Sequence, residues 1–312
     1  MLVGITGGSG FIGSALVQHH VSAGDSIRCL TRSPETRALR GVHLVEGDLA
    51  KPDERLARFA GGLDVLYHCA AELTDEQRMH AINVEGTRAL LEAAAGRIGR
   101  WVQLSSVGVY GRHRTGVVSE ETTLDPCGPY EASKAAADTL VLKAHENGQL
   151  ASCALLRPSI VFGPGMRNRS VVQMIRMIER RVFFFIGDSG ASANYVHVSN
   201  VVDALVLCAT SPAANGRVYN LSDWCTVEEF AGAIADALGC ARPRVRLPEG
   251  PVRRAVQLVG RMTALPLTES RIDALVTRGR YSIDRIQREL NYRLEVPIAA
   301  GLAQMIEQRL AA

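Results

Sequence analysis

The chain has no Cys-x-x-Cys pair, no apolar run long enough to span a bilayer, and little net charge. Each absence removes a class of protein. Seven cysteines, odd in number and scattered from Cys29 to Cys240, suggest neither a disulfide framework nor a zinc site, and no metal is expected. Reduced thiols and a cytoplasmic location are the expectation. A formal charge of +3, with arginines that are not interleaved with aromatics, gives no reason to expect a nucleic-acid partner. No membrane partner is expected, and strand-like residues from Leu2 onward argue against a signal peptide. There is also no internal repeat and no low-complexity segment. What remains is 312 residues with 47% hydrophobic and 21% charged content, ordinary for a globular protein of one or two domains.

Short apolar runs alternate with helical patterns through the first half, which predicts parallel βαβ units. Strands are expected at Leu2–Thr6, Ser26–Thr31, Val42–Glu46, Val65–Cys69, Trp101–Ser105 and Ser152–Arg157. Helices are expected near Phe11–Ala23, Asp53–Ala60, Glu76–Ala95 and Tyr130–Asn147. The rhythm breaks at Gly163-Pro164-Gly165, a sharp turn. A helix near Ser170–Arg180, the apolar run Val182–Ile186, a strand and helix at Tyr195–Val198 and Asn200–Cys208, and a strand at Arg217–Leu221 follow. The tail reads mainly as helices, including Val227–Leu238 and Ile283–Leu290. The expected fold is α/β, a Rossmann-type doubly wound parallel sheet with a smaller, discontinuous, mainly helical substrate domain. Residues 1–163 and 191–221 would form the dinucleotide-binding part, and 164–190 and 222–312 the substrate part.

Gly7, Gly10 and Gly13 lie between a predicted strand and a predicted helix, the context a dinucleotide fingerprint needs. Gly7 permits a tight turn, Gly10 lets backbone approach a pyrophosphate, and Gly13 allows close packing of helix on sheet. The helix N-terminus would face the phosphate charge. Further along, Tyr130 and Lys134 are four residues apart on a predicted helix and share a face. An ammonium beside a phenol favours the phenolate, so Tyr130 is expected to titrate below its ordinary value near ~10. Such a group can donate and accept a proton in carbonyl reduction or alcohol oxidation.

These motifs together resemble the extended short-chain dehydrogenases/reductases, which include nucleotide-sugar epimerases. Thr6-Gly7-Gly8-Ser9-Gly10-Phe11-Ile12-Gly13 looks like that family's TGxxGFIG loop. Asp64 to Ala71 resembles its DxVxHxAA strand, Asn83-Val84-Glu85-Gly86-Thr87 its NVxGT helix, Arg157 to Gly165 its RPxxVYGPG segment, and Tyr195 to Val201 its YVHVxDV segment. The resemblance implies a catalytic triad of Ser106, Tyr130 and Lys134, with Ser105 the adjacent choice for the serine. It implies cofactor contacts from Gly7, Gly10, Phe11, Ile12, Gly13, Asp48, Leu49, Ala70, Ala71, Pro158 and Ile160, besides Tyr130 and Lys134. Ser106 and Val107 would touch substrate, and a homodimer seam is expected from the helices Glu76–Ala95 and Tyr130–Asn147. Asn83 is expected to be structural, His68 and His197 core or supporting groups, and Tyr110 either a site-lining or a packed ring.

The second strand ends in Leu30-Thr31-Arg32 and carries no acid for an adenosine ribose. Thr31 offers a hydroxyl, and Arg32 can pair with a 2′-phosphate, so NADP(H) is preferred over NAD. Val107-Gly108 follow Ser106 where dehydratases of the family carry Asp-Glu, so simple redox at one carbon is left. The resemblance then implies reduction or epimerisation at C4 of a nucleoside-diphosphate sugar. Arg167, Arg169, Arg278 and Arg280 are candidates for its pyrophosphate. Ile160, where many sugar-nucleotide enzymes have Asn, is instead shared with hydroxysteroid and dihydroflavonol reductases. An apolar ketone is therefore the alternative substrate, with Val182–Ile186 as a pocket floor or a buried strand. A catalytically idle NADP-binding regulator is a third reading.

Overall fold

Strand propensity and helix propensity alternate along the chain, and the central runs, such as Leu63–His68 and Cys153–Pro158, are buried because helices cover both of their sides. The computed structural model describes residues 1–33, 41–112, 115–166, 169–259 and 268–311. In order the elements are β1 Leu2–Thr6, α1 Phe11–Ser22, β2 Ser26–Thr31, β3 Val42–Glu46, α2 Arg55–Ala60, β4 Leu63–His68, α3 Glu76–Met79, a π turn His80–Glu85, and α4 Gly86–Ala94. Next come β5 Ile98–Leu104, a 3₁₀ turn Val107–Tyr110, β6 Val117–Val118, α5 Pro129–Glu146, β7 Cys153–Pro158, β8 Ile160–Phe162, α6 Arg169–Glu179, β9 Phe185–Ile186, β10 Ser192–His197 and α7 Val198–Thr210. A second 3₁₀ turn (Pro212–Ala214) leads to β11 Arg217–Leu221, β12 Asp223–Thr226, α8 Val227–Ala237, β13 Arg246–Leu247, α9 Glu249–Val259, α10 Glu269–Val276, β14 Arg280–Tyr281, α11 Asp284–Leu290 and α12 Ile298–Ala311.

The main sheet has seven strands in the order β11-β7-β5-β4-β1-β2-β3, all parallel. The chain winds outward from β1 in one direction and then restarts at β4 in the other. That reversal opens a crevice beyond the carboxyl ends of β1 and β4, where ligands of such sheets bind. One face is covered by a core that includes Leu16 and Val17 of α1, Val201 and Leu205 of α7, and Ile286 and Leu290 of α11. The other face packs Phe59 of α2, Leu90 and Leu91 of α4, and Val141 and Ala144 of α5. This is the Rossmann-like α/β fold read from the sequence. A third core lies apart from the sheet and gathers Val171, Ile175 and Ile178 of α6, Phe230 and Ile234 of α8, and Leu302 and Ile306 of α12.

Two segments differ from the reading above. Glu76–Ala95 is not one helix, because the π turn interrupts it at Asn83, whose amide turns inward to serve other backbone. Of the run Val182–Ile186 only Phe185–Ile186 form a strand, and the rings of Phe183 and Phe185 meet edge to face 5.3 Å apart within the third core. Those two rings therefore pack within the third core.

Candidate active site

The first βα turn is shaped by what a side chain would strike. Gly7 has φ +70°, and a Cβ there would lie 2.7 Å from the backbone nitrogen of Ala70. At Gly13 a Cβ would lie 2.1 Å from the carbonyl oxygen of Gly7, so helix and loop can approach only without it. Gly10 caps α1 with no side-chain hydrogen bond, and the first turn holds no acidic residue. The amide groups of that turn are thus left for an anion. Phe11 and Ile12 open the helix and are partly buried. A dinucleotide pyrophosphate fits this cradle, with Gly7, Gly10 and Gly13 giving the backbone access.

Around it the remaining expected cofactor residues take separate positions. Thr31 accepts a hydrogen bond from the Ser33 amide at 3.3 Å, and Arg32 is exposed at the end of β2. One carboxylate oxygen of Asp48 accepts from the Ala50 amide at 2.9 Å, which fixes the turn beyond β3. Leu49 is buried beneath Gly86, where a Cβ would lie 2.8 Å from the leucine's own Cβ. Ala70 and Ala71 follow β4 and are partly exposed, beside the glycine turn. Pro158 is buried at the end of β7, whereas Ile160 is 44% exposed.

β5 ends beside the first turns of α5. Ser106 caps the 3₁₀ turn, its Oγ accepting from the Gly108 amide at 3.1 Å. A Cβ on Gly108 would lie 2.9 Å from Cγ of Glu131, so this turn abuts the residue next to Tyr130. Lys134, 3% exposed, donates from Nζ to the Leu104 carbonyl, two residues before Ser106. Ser106, Tyr130 and Lys134 are thereby brought to one end of β5. Val107 beside them is buried.

Electrostatics here depart from the expectation. Burial pushes the Tyr130 phenol up to about 12, with the carboxylates of Glu131 and Asp138 adding to the rise. Desolvation also lowers Lys134 from its ordinary value, against the pull of Asp138. The i, i+4 spacing alone therefore does not bring the phenol below its usual range, because the ammonium is aimed at a carbonyl in a dry environment.

The bonds of Asn83 explain the π turn. Its Oδ1 accepts from the Glu72 amide at 2.7 Å, and its Nδ2 donates to the Glu72 carbonyl at 3.0 Å and to Ser133 Oγ at 2.9 Å. Ser133 in turn donates to the Tyr130 carbonyl at 2.7 Å. Tyr110 is fully buried with its hydroxyl between Arg157 and Asn220, so it packs instead of lining the site. Sequence reasoning missed that Arg157 also reaches Asp138 at 3.0 Å, a pairing across nineteen positions with no local signal.

Among the expected substrate contacts, Arg280 stacks its guanidinium 4.3 Å over the ring of Trp224. Arg278 donates to the Ser189 carbonyl at 2.8 Å on the surface. Arg167 lies outside the described residues, as does the side chain of Arg169.

The profile of the NAD dependent epimerase/dehydratase family matches residues 3–222. The chain belongs to this family. Within it, the chain is 31% identical to a 4-hydroxy-2-methyl-3-oxo-4-farnesyl-3,4-dihydroquinoline-1-oxide ketoreductase of Stigmatella aurantiaca, over 96% of this chain and 93% of that one. It is 29% identical to a UDP-glucose 4-epimerase of Mycolicibacterium smegmatis, over 97% and 96% of the two chains. The solved structure of MoeE5 in complex with UDP-glucose and NAD is 26% identical, covers 100% of both chains and superposes with a TM-score of 0.78. Members of the epimerase/dehydratase family are NAD(P)-dependent oxidoreductases and epimerases. No helix among the described residues is long and apolar enough to cross a membrane, and no group of three or more His, Cys, Asp or Glu among them could hold a metal.

Proposed function

We propose that this chain is an NADP(H)-dependent reductase or epimerase that acts at C4 of a nucleoside-diphosphate sugar through Ser106, Tyr130 and Lys134. The observation that carries the reaction class is the clamp between β5 and α5. Lys134 Nζ on the Leu104 carbonyl and Glu131 against Gly108 hold Tyr130 and Ser106 at one end of the cofactor crevice. In this reading residues 1–163 with 191–221 hold the dinucleotide, and 164–190 with 222–312 hold the substrate.

Ser106 Oγ already accepts from Gly108, and its own proton has no acceptor among the described residues, so it can donate to a substrate oxygen. Tyr130 would pass its proton to that oxygen in reduction and take it back in oxidation. Lys134 would hold the charge that makes the exchange feasible. A bound nicotinamide would supply or accept the hydride at the same carbon. Gly7, Gly10 and Gly13 would hold the pyrophosphate, with Ala70 and Ala71 alongside. Exposed Arg32, with no acid at the end of β2, supports the 2′-phosphate of NADP(H) over NAD.

The UDP-glucose complex of MoeE5 and the UDP-glucose 4-epimerase relative support a nucleotide sugar as substrate. A second reading, reduction of an apolar ketone, has its own observation. Ile160 presents an apolar side chain to solvent at the head of β8, and the 31% identical relative is a ketoreductase of a farnesylated quinoline. Thermal-shift measurements with NADPH, NADH, UDP and a steroid separate the two. UDP is expected to raise the melting temperature on its own. A steroid response without a UDP response would overturn the sugar assignment.

A further inference from the structure

Behind Tyr130 lies a buried set of three charges on α5 and β7. Lys134 and Asp138 are one turn apart on α5, and both are buried. Asp138 Oδ2 accepts from Arg157 Nε at 3.0 Å and from Ser105 Oγ at 2.8 Å, while its Oδ1 has no partner among the described residues. Burial raises the Asp138 carboxyl, while Arg157, Lys134 and Ser105 all favour its anion, and a carboxyl that only accepts is the anion of the set. Arg157 is aimed by its other nitrogen, Nη1, which donates to the Tyr110 hydroxyl at 2.8 Å. That hydroxyl donates onward to Asn220 Oδ1, also at 2.8 Å. Two cations and one anion therefore leave one positive charge in excess, in a region with little water to screen it.

We propose that Arg157 is a positioning residue that neutralises Asp138, so that the field of Lys134 acts on the Tyr130 phenol instead of being cancelled one helical turn away. The idea rests on the reading of Tyr130 as the proton donor. Asp138 is one of the two carboxylates that already hold the phenol above its ordinary value, the other being Glu131 on the same helix. Without Arg157 the Asp138 carboxylate would be offset by Lys134 alone, and the field of that ammonium would be spent on it. Beyond Tyr110, Glu120 adds to the rise of that residue's phenol and pairs with Arg285, and the other titratable groups facing the cluster are uncharged. At the end of β4, burial holds His68 down at about 3 and Cys69 up to about 12. From the 3₁₀ turn, Tyr110 is raised by burial as well. Arg157 and Lys134 are thus the cations available to offset Asp138.

A buried Arg–carboxylate pair is often only structural, and removing one partner is strongly destabilising. The test therefore reads the ionisation of Tyr130 itself. Protein labelled with ¹³C at the tyrosine ζ carbon is titrated by NMR, with Tyr130→Phe identifying the resonance. Asp138→Asn keeps the shape and the acceptor for Arg157, and is expected to move the Tyr130 transition down by about one pH unit or more. The double variant Asp138→Asn/Arg157→Met, with Lys134 as its one cation, is expected to return it close to the wild-type position. Arg157→Lys, which keeps the charge, should stay near wild type. An unmoved transition in Asp138→Asn, or a double variant that titrates like Asp138→Asn, would overturn the proposal. The measurement needs no substrate, so turnover of Tyr130→Phe tests the donor assignment separately.

Discussion

The hydrogen bond between His68 and Thr87 runs in one direction only. Thr87 Oγ1 gives its proton to the Asn83 carbonyl at 2.7 Å, so at 2.9 Å it must accept from His68 Nε2. His68 is held neutral by burial and the nearby Lys134 cation, so its Nδ1 accepts from Thr6 Oγ1 at 2.7 Å. Thr6 Oγ1 then accepts from the Ala70 amide at 3.1 Å. One imidazole tautomer thereby ties β1, β4 and the π turn together beneath the cofactor crevice.

That tautomer makes stability depend on pH. The folded-state pKa of His68 is depressed to about 3 from 6.5, so below 6.5 the unfolded chain binds a proton that the folded chain does not. Stability contributed by neutral His68 is complete above 6.5 and is lost as pH falls toward 3. Urea unfolding of wild type and His68→Gln across this range checks it. Gln cannot titrate, so its stability should fall less steeply with acid, and parallel curves would refute the assignment.

Tyr130→Phe removes the hydroxyl proposed as the proton donor and leaves the ring. Turnover is expected to fall by roughly 10²–10⁴-fold, with NADPH affinity nearly intact. Stopped-flow kinetics and cofactor fluorescence report the two quantities separately, and retained turnover would place the donor elsewhere.

Gly13→Ala pushes a methyl into the Gly7 carbonyl, at 2.1 Å from its oxygen. The loop must shift, at a cost of about 1–3 kcal/mol, and the cradle for the pyrophosphate shifts with it. Calorimetry should find both a lower melting temperature and weaker binding of NADPH and NADH alike. Unchanged affinity would mean that the loop does not hold the phosphates.

Arg32→Asp acts on one cofactor only. Loss of a charge-assisted contact should reduce the preference for NADPH over NADH by roughly tenfold to a hundredfold. Titrations with both cofactors give the ratio, and an unchanged ratio would remove Arg32 from the site.

Much of the half that carries the glycine turn was legible because its signals are local. β1, β2, β3 and β11 begin and end where their apolar runs do, and the glycines of the first turn announce a backbone approach that any side chain would block. Other features depend on residues far apart in the chain. The two-residue strands β6 and β14 exist because Val117–Val118 and Arg280–Tyr281 pair across the fold, and no periodicity is visible in two residues. The π turn was hidden because Asn83 earns its place through Glu72 and Ser133, neither adjacent to it. The phenol's upward shift was missed for a similar reason. Spacing placed Lys134 on the same side as Tyr130, but the desolvation of both and the carbonyl that takes the ammonium come from tertiary packing.

The π turn also decides which parts of the molecule are free to vary. Through Glu72 and Ser133, a single amide ties the loop after β4 to the helix that bears Tyr130. Changes at Glu72, Asn83 or Ser133 are therefore coupled across three segments, whereas positions outside that set can vary without loosening the tie.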